Sequence, residues 1–277
     1  MMKTSTEINS IARHVGEERA IELVAKAGFD AYDFSMFKMA TGGHPLNGNE
    51  YLAFARRIKQ VAKDNGIVCN QSHAPFPVHI PEIRAFLPRA IECTAEAGGK
   101  ICVIHPDNEK SAEENAEMFW ELLPLAKQYG VTIATENMWN WDDKTNFALP
   151  AACSSPEDFV RHVDTVNDPF FAACLDIGHA EMAGIGTSAP EMIRALGKRL
   201  KALHIHDNDL HFDSHAVPFS MQIDFDAVVL ALKEIGYEGD LTLEADRHCS
   251  TATPDTIFEY VKEMYASVSR IREMMLT

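Results

Sequence analysis

Gly98-Gly99-Lys100-Ile101-Cys102-Val103-Ile104-His105-Pro106 is the stretch on which the fold turns. The two glycines close the helix expected before them, because Gly reaches the left-handed backbone region that ends a helix without a Cβ clash. Four apolar residues follow without a break. A short apolar run between turn residues suits a strand buried on both faces of a parallel sheet. That strand delivers a histidine at its end. Upstream, residues 81–97 carry helical spacing. Downstream, residues 113–128 do the same and stop at Gly130, after which the run 131–135 delivers Glu136.

The alternation continues in both directions. A helix is expected over 17–26 with Gly28 as its stop, then a strand over 31–34, a helix over 49–65 ended by Gly66, and a strand from 67 that runs into His73. Beyond Glu136, the sequence SSPED at 154–158 offers a serine hydroxyl to the free amides of a helix start. Strand 171–175 ends at Asp176. Helix 190–198, strand 200–205 with His204, helix 226–235, strand 241–243 presenting Glu244 and helix 254–275 complete the series. With one faintly marked strand near the N-terminus, the pattern is eight βα units, a (β/α)8 TIM barrel of the α/β class. Such a barrel needs about 250 residues, so the 277 present read as one domain over 1–277. The loops after Glu136 and His204 are the longest, and barrel active sites are built from loops at the strands' C-terminal ends.

Composition narrows the function. With 46% hydrophobic and 24% charged residues the chain can bury a full core. It has no apolar run of signal-peptide or membrane-span length, so a cytoplasmic protein without a membrane partner is expected. The six cysteines are scattered without a CxxC pair and read as reduced, buried thiols. A net charge of -16 repels polyanions, which disfavours nucleic acid as a partner. The sequences GxGxxG, GxxxxGK[ST] and GxSxG do not occur, so neither a nucleotide cofactor nor a serine nucleophile is supported.

What carries chemistry is the position of His73, His105, Glu136, Asp176, His204 and Glu244 at the ends of six successive expected strands, spaced by 32, 31, 40, 28 and 40 residues. Each spacing is close to one βα unit, so a closed barrel brings all six to one rim. Imidazoles and carboxylates converging there are what a divalent cation requires. His179, His206, His211, His215 and His248 also fall just after expected strand ends.

The local motifs are SHAPF at 72–76, IHP at 104–106, TEN at 135–137, LDIGH at 175–179, LHIHDND at 203–209 and LEAD at 243–246. This set resembles the xylose isomerase-like TIM barrel superfamily, which includes sugar phosphate isomerases and epimerases as well as the AP endonuclease family 2 proteins. The resemblance implies one divalent metal, Mn, Mg, Co or Zn, held by Glu136, Asp176, His204 and Glu244. It implies an isomerase or epimerase of a small sugar, keto-polyol or hydroxy-keto acid, with Glu136 and Glu244 as the proton-transferring pair beside a metal-polarised carbonyl and an enediolate between them. Substrate contacts are then expected from His73, His105, His179, Trp139 and Arg247. The endonuclease relatives hold three zinc ions, and their extra ligands match His73, His105, His179, Asp213 and His215, so up to three metals and a zinc phosphodiesterase form the alternative. A dehydratase or hydrolase at the same metal site is a third. The loop 206–215 carries three aspartates and no Lys or Arg, which favours a small hydroxylated substrate over a duplex. Trp139 and Trp141 either cover the sugar's apolar face or pack on the helix layer, and Asp142 either meets a substrate hydroxyl or is solvated. The resemblance also implies a homo-oligomer.

Overall fold

The computed structural model describes residues 2–277. Its barrel strands are β1 (Thr4–Thr6), β2 (Ala31–Ser35), β3 (Val68–His73), β4 (Ile101–Val103), β5 (Thr132–Glu136), β6 (Phe171–Asp176), β7 (Leu200–His204) and β8 (Leu241–Leu243). Strands β2 to β7 pair in parallel in chain order, and β1 pairs in parallel with β8. Two single bridges join these sheets into a ring, Glu7 with Asp33 and Ile205 with Leu243. The TIM barrel expected from the βα rhythm is therefore present, and the faint first strand is the one that closes it.

The helices form because their apolar positions recur on one face. In Pro156–Val166, Phe159, Val163 and Val166 are buried against the sheet, and Ser155 Oγ accepts from Asp158 N at the N-terminus. Most of the apolar core lies between strands and helices. A fully buried Phe such as Phe159 contributes about 3–5 kcal/mol by the cost of its truncation. Inside the ring, Val103, Ala134, Cys174 and Ala202 form a separate small cluster. All six cysteines are free and buried. No helix among the described residues is long and apolar enough to cross a membrane.

Two departures from the expected elements have local causes. The helix expected over 81–97 is two, Pro81–Arg84 and Leu87–Ala97, because Pro88 has no N–H to bond back to Arg84 and is tolerated only in a helix's first turn. The long loop after Glu136 contains an antiparallel hairpin, Trp139–Asp142 with Phe147–Pro150. It docks where Gly184, at φ +103°, leaves room: a Cβ there would lie 2.1 Å from the Ala148 carbonyl oxygen.

At the end of β1, Glu7 is buried and accepts a hydrogen bond from Ser10 N at 3.0 Å, at the start of helix Asn9–Val15. Burial pushes its carboxyl up to about 7. A carboxyl whose folded pKa exceeds its unfolded one favours the proton-bound native state, so stability declines as pH rises from about 4.5 through 7. Glu7→Gln is expected to melt several degrees higher than wild type at pH 8, a gain of roughly 2–3 kcal/mol, and at the same temperature as wild type at pH 4. A pH-independent difference would refute the assignment. Gly184→Ala is expected to lose about 1–3 kcal/mol through overpacking, read as a lower Tm together with changed tryptophan fluorescence from the hairpin.

Candidate metal centre

Strands β3, β5, β6 and β7 end on His73, Glu136, Asp176 and His204, while His105 and Glu244 stand just past β4 and β8. All six are buried, Asp176 completely. Ring closure brings them together. His204 Nδ1 lies 3.0 Å from Glu136 Oε1 and 2.9 Å from Glu244 Oε2. His105 Nε2 is 3.2 Å from Glu136 Oε2, His73 Nε2 is 2.8 Å from His105 Nε2, and His73 Nδ1 is 3.4 Å from Glu244 Oε1. Asn137 clips the neighbouring strand in register: its Oδ1 accepts from Asp176 N at 2.7 Å and its Nδ2 donates to Asp176 O at 2.9 Å.

A second group adjoins the first through Asp176. Its Oδ1 accepts from His179 N at 2.7 Å, capping the short turn Ile177–Ala180, and lies 3.0 Å from His206 Nε2. Asp213 Oδ2 is 3.1 Å from His215 Nε2 and 3.6 Å from His179 Nε2. His215 Nδ1 donates to Glu244 O at 2.7 Å, and its ring stacks on His206 at 4.1 Å. His206 had no assigned role among the rim histidines. Its signal was the H-x-H spacing at 204 and 206, which places both side chains on one face of an extended chain. Gly178 makes this packing possible, since a Cβ there would sit 1.9 Å from His206 Cε1.

Carboxyls and imidazoles shift one another in opposite senses in both groups. Burial alone raises Glu136 and Glu244, but His204 with His105, and His204 with His73, outweigh it and hold both carboxyls well below the usual carboxylate range. Burial lowers His105. For His204 burial is outweighed by Cys174, Glu136 and Glu244, and for His179 by Asp176 and Asp213, so both imidazoles titrate well above their ordinary value. Asp213 lifts His215, against burial, to about 10.

The residues fit a cation. Glu136 Oε2, Asp176 Oδ2, His206 Nε2 and Asp213 Oδ1 are buried without a well-formed hydrogen bond. Such atoms cost several kcal/mol when unpaired. Ligand atoms of Glu136, Asp176, His204 and Glu244 lie within 4.8 Å of one another, as do those of His73, His105 and Glu136 and those of His179, His206, Asp213 and His215. Mixed imidazole and carboxylate donors suit Zn, Mn and Co, and Mg less closely.

Above these groups opens a cavity of about 780 Å³, walled by His73, His105, His179, Asp213, His215 and Trp139 among others. Phe76, not singled out from the sequence, stacks on His105 at 4.4 Å, and Trp139 stands edge-on to His179 at 6.2 Å. Asp107, Glu109, Asn108 and Asn140 add acidic and amide groups, and no Lys or Arg lines the wall among the described residues. The remaining expectations fall outside it. Trp141 stacks on Phe212 at 5.5 Å, and Asp142 holds the hairpin turn through Lys144 N and Thr145 Oγ1. Arg247, expected to contact substrate, is exposed and does not line the cavity, because the chain turns after Glu244 into His248–Thr251, where His248 pairs with Glu263 at 3.0 Å.

Comparison with known proteins agrees with this architecture. An uncharacterised protein of Methanocaldococcus jannaschii is 26% identical over 278 residues, covering 92% of this chain and 89% of its own. A structure of L-ribulose 3-epimerase superposes with a TM-score of 0.74 at 17% identity, over 100% of this chain and 96% of that one. The IOLI protein with a binding zinc atom superposes with a TM-score of 0.73 at 21% identity, over 98% of both chains. A D-tagatose 3-epimerase-like protein gives 0.70 at 21% identity, over 96% of this chain and 100% of that one. These likenesses establish the fold. The family model described as xylose isomerase-like TIM barrel matches residues 21–267, and the chain belongs to that family.

Proposed function

We propose that this chain is a divalent-metal-dependent isomerase or epimerase of a small sugar, keto-polyol or hydroxy-keto acid. The observation that carries the reading is a pair of buried carboxylates, Glu136 and Glu244, both within about 3 Å of His204 Nδ1 on the wall of one cavity. Glu136, Asp176, His204 and Glu244 are the residues that would hold the cation. A bound divalent ion supplies Lewis-acid activation of a carbonyl oxygen.

The chain's own residues supply the proton transfers. With both carboxyls held below the usual range, Glu136 and Glu244 are ionised at neutral pH, the state a base needs. One takes the proton from the carbon beside the carbonyl. The other, having first taken up a proton from water, returns it to the neighbouring carbon in an isomerase or to the opposite face in an epimerase, and the first releases its proton to water before the next turnover. His73, His105 and His179 meet substrate hydroxyls, and Trp139 with Phe76 covers an apolar face and excludes water. Among the described residues no Lys or Arg lines the wall, which favours the sugar or keto-polyol over the anionic hydroxy-keto acid. The sugar epimerases among the structural neighbours accord with this reading.

A zinc phosphodiesterase is the second reading. His179, His206, Asp213 and His215, with the group His73, His105 and Glu136, provide room for up to three cations. The absence of Lys and Arg from the cavity wall counts against a grip on a phosphate backbone.

Elemental analysis of the purified chain is expected to find one divalent cation, whose removal by chelation lowers the Tm. In heavy water the loaded chain is expected to incorporate deuterium beside the carbonyl of at least one ketose or keto acid, and to stop on chelation. Two or three zinc ions with cleavage of abasic DNA and no exchange would transfer the assignment to the phosphodiesterase. Glu136→Gln and Glu244→Gln are each expected to cut exchange by at least about 100-fold with native circular dichroism. Wild-type exchange in either variant would refute the proton-transfer pair.

A further inference from the structure

One wall of the barrel interior is polar where the other carries Val103, Ala134, Cys174 and Ala202. Ser5 Oγ donates to Asn70 Oδ1 at 2.8 Å, and Asn70 Nδ2 donates to Thr242 Oγ1 at 3.0 Å. Thr242 Oγ1 donates to Gln71 Oε1 at 3.2 Å, and Gln71 Nε2 donates to Asp33 Oδ2 at 3.0 Å. Asn70 and Gln71 both join this chain because the β2–β3 register shifts between Tyr32 and Asp33, leaving Asn70 as the extra residue of a bulge.

The donors run in one direction and end on a carboxylate, which can only accept. Asp33 is completely buried, and its Oδ1 makes no hydrogen bond. Among the described residues, the one ion-pairing group that faces it is His204, whose Nε2 lies 3.7 Å from Asp33 Oδ2. That separation is an electrostatic contact rather than a hydrogen bond. It is still the side of the ring on which a proton is stabilised, since a buried carboxylate with one amide donor is under-satisfied. The other ring nitrogen, Nδ1, is the one that faces Glu136 and Glu244. An imidazole ligates a cation through a nitrogen without a proton, and the partner of its other nitrogen decides which one that is.

We propose that Asp33 is the positioning residue of His204: it keeps a proton on Nε2 and so commits Nδ1 to the cation, while Gln71 and Thr242 hold Asp33 in place. This rests on the metal-centre reading above. Asp33→Ala is expected to weaken Mn²⁺ binding to the metal-free chain, measured by titration calorimetry, by about 10- to 100-fold. Asp33→Asn, which keeps the shape and an acceptor, is expected to fall between Asp33→Ala and wild type. Thermal melts establish that both variants are folded. In the zinc-loaded wild type, ¹⁵N-histidine spectra are expected to show a proton on His204 Nε2 protected from solvent exchange. That protection is expected to disappear in Asp33→Ala, a change that a purely structural role does not produce. An Mn²⁺ affinity in folded Asp33→Ala within about twofold of wild type, or a bare Nε2 in the wild type, would overturn the proposal. If the variants do not fold, the wild-type spectrum decides it alone. A wild-type chain that binds neither cation would refute the metal centre instead. The His204 spectrum of the metal-free chain then tests Asp33 separately, a protected Nε2 proton sustaining its role and a bare Nε2 ending it.

Discussion

Glu136 and Glu244 approach the same nitrogen of His204, and Asp176 and Asp213 converge on His206 close by. Four carboxylates gathered in a buried pocket repel one another strongly, because water no longer screens them. The rest of the structure answers that constraint. His73, His105, His179, His204 and His215 interleave with the carboxylates, Asn137 pins Asp176 by both amide atoms, and helix starts donate backbone amides to Asp176 and Glu7. Several oxygens remain unpaired even so, which is the physical argument for a cation at this place.

The same constraint reaches down the barrel. A ring of eight strands is normally filled by bulky aliphatic side chains. Here one wall keeps small apolar residues and the other is a run of hydrogen-bonded side chains from Ser5 to Asp33. The hydrogen bonds of that run follow one another in a single direction and leave only Asp33 Oδ1, at its end, without a partner. Glycines complete the fit at the rim: Gly178 admits the His206 ring, and Gly184 admits the hairpin that carries Trp139 to the cavity.

Much of the rim was legible along the chain because strands of a barrel point their ends the same way, so a residue type repeated at βα spacing converges on closure. His73, His105, Glu136, Asp176, His204 and Glu244 follow from that regularity, and Asp213 and His215 were reached through the likeness of their loop to known relatives. Other members were hidden for identifiable reasons. Asp33 lies mid-strand on β2, where a lone aspartate resembles any solvated edge residue until the ring closes over it. His206 was one histidine among several. Arg247 follows Glu244 closely in sequence, yet one turn of chain suffices to place it in solvent.

By itself, the sequence determined the alternation of strands and helices and the rim residue at or just past six of the strand ends, since these depend on local periodicity and on where glycines stop helices. Tertiary structure alone decided which ring nitrogen faces which carboxylate, that Asn70 bulges so that Gln71 meets Asp33, and which aromatic of the Trp139–Trp141 pair faces the cavity. Those outcomes depend on register shifts and side-chain packing between segments far apart in the chain. A shift of one residue reverses the face on which a side chain stands, and no local pattern records it.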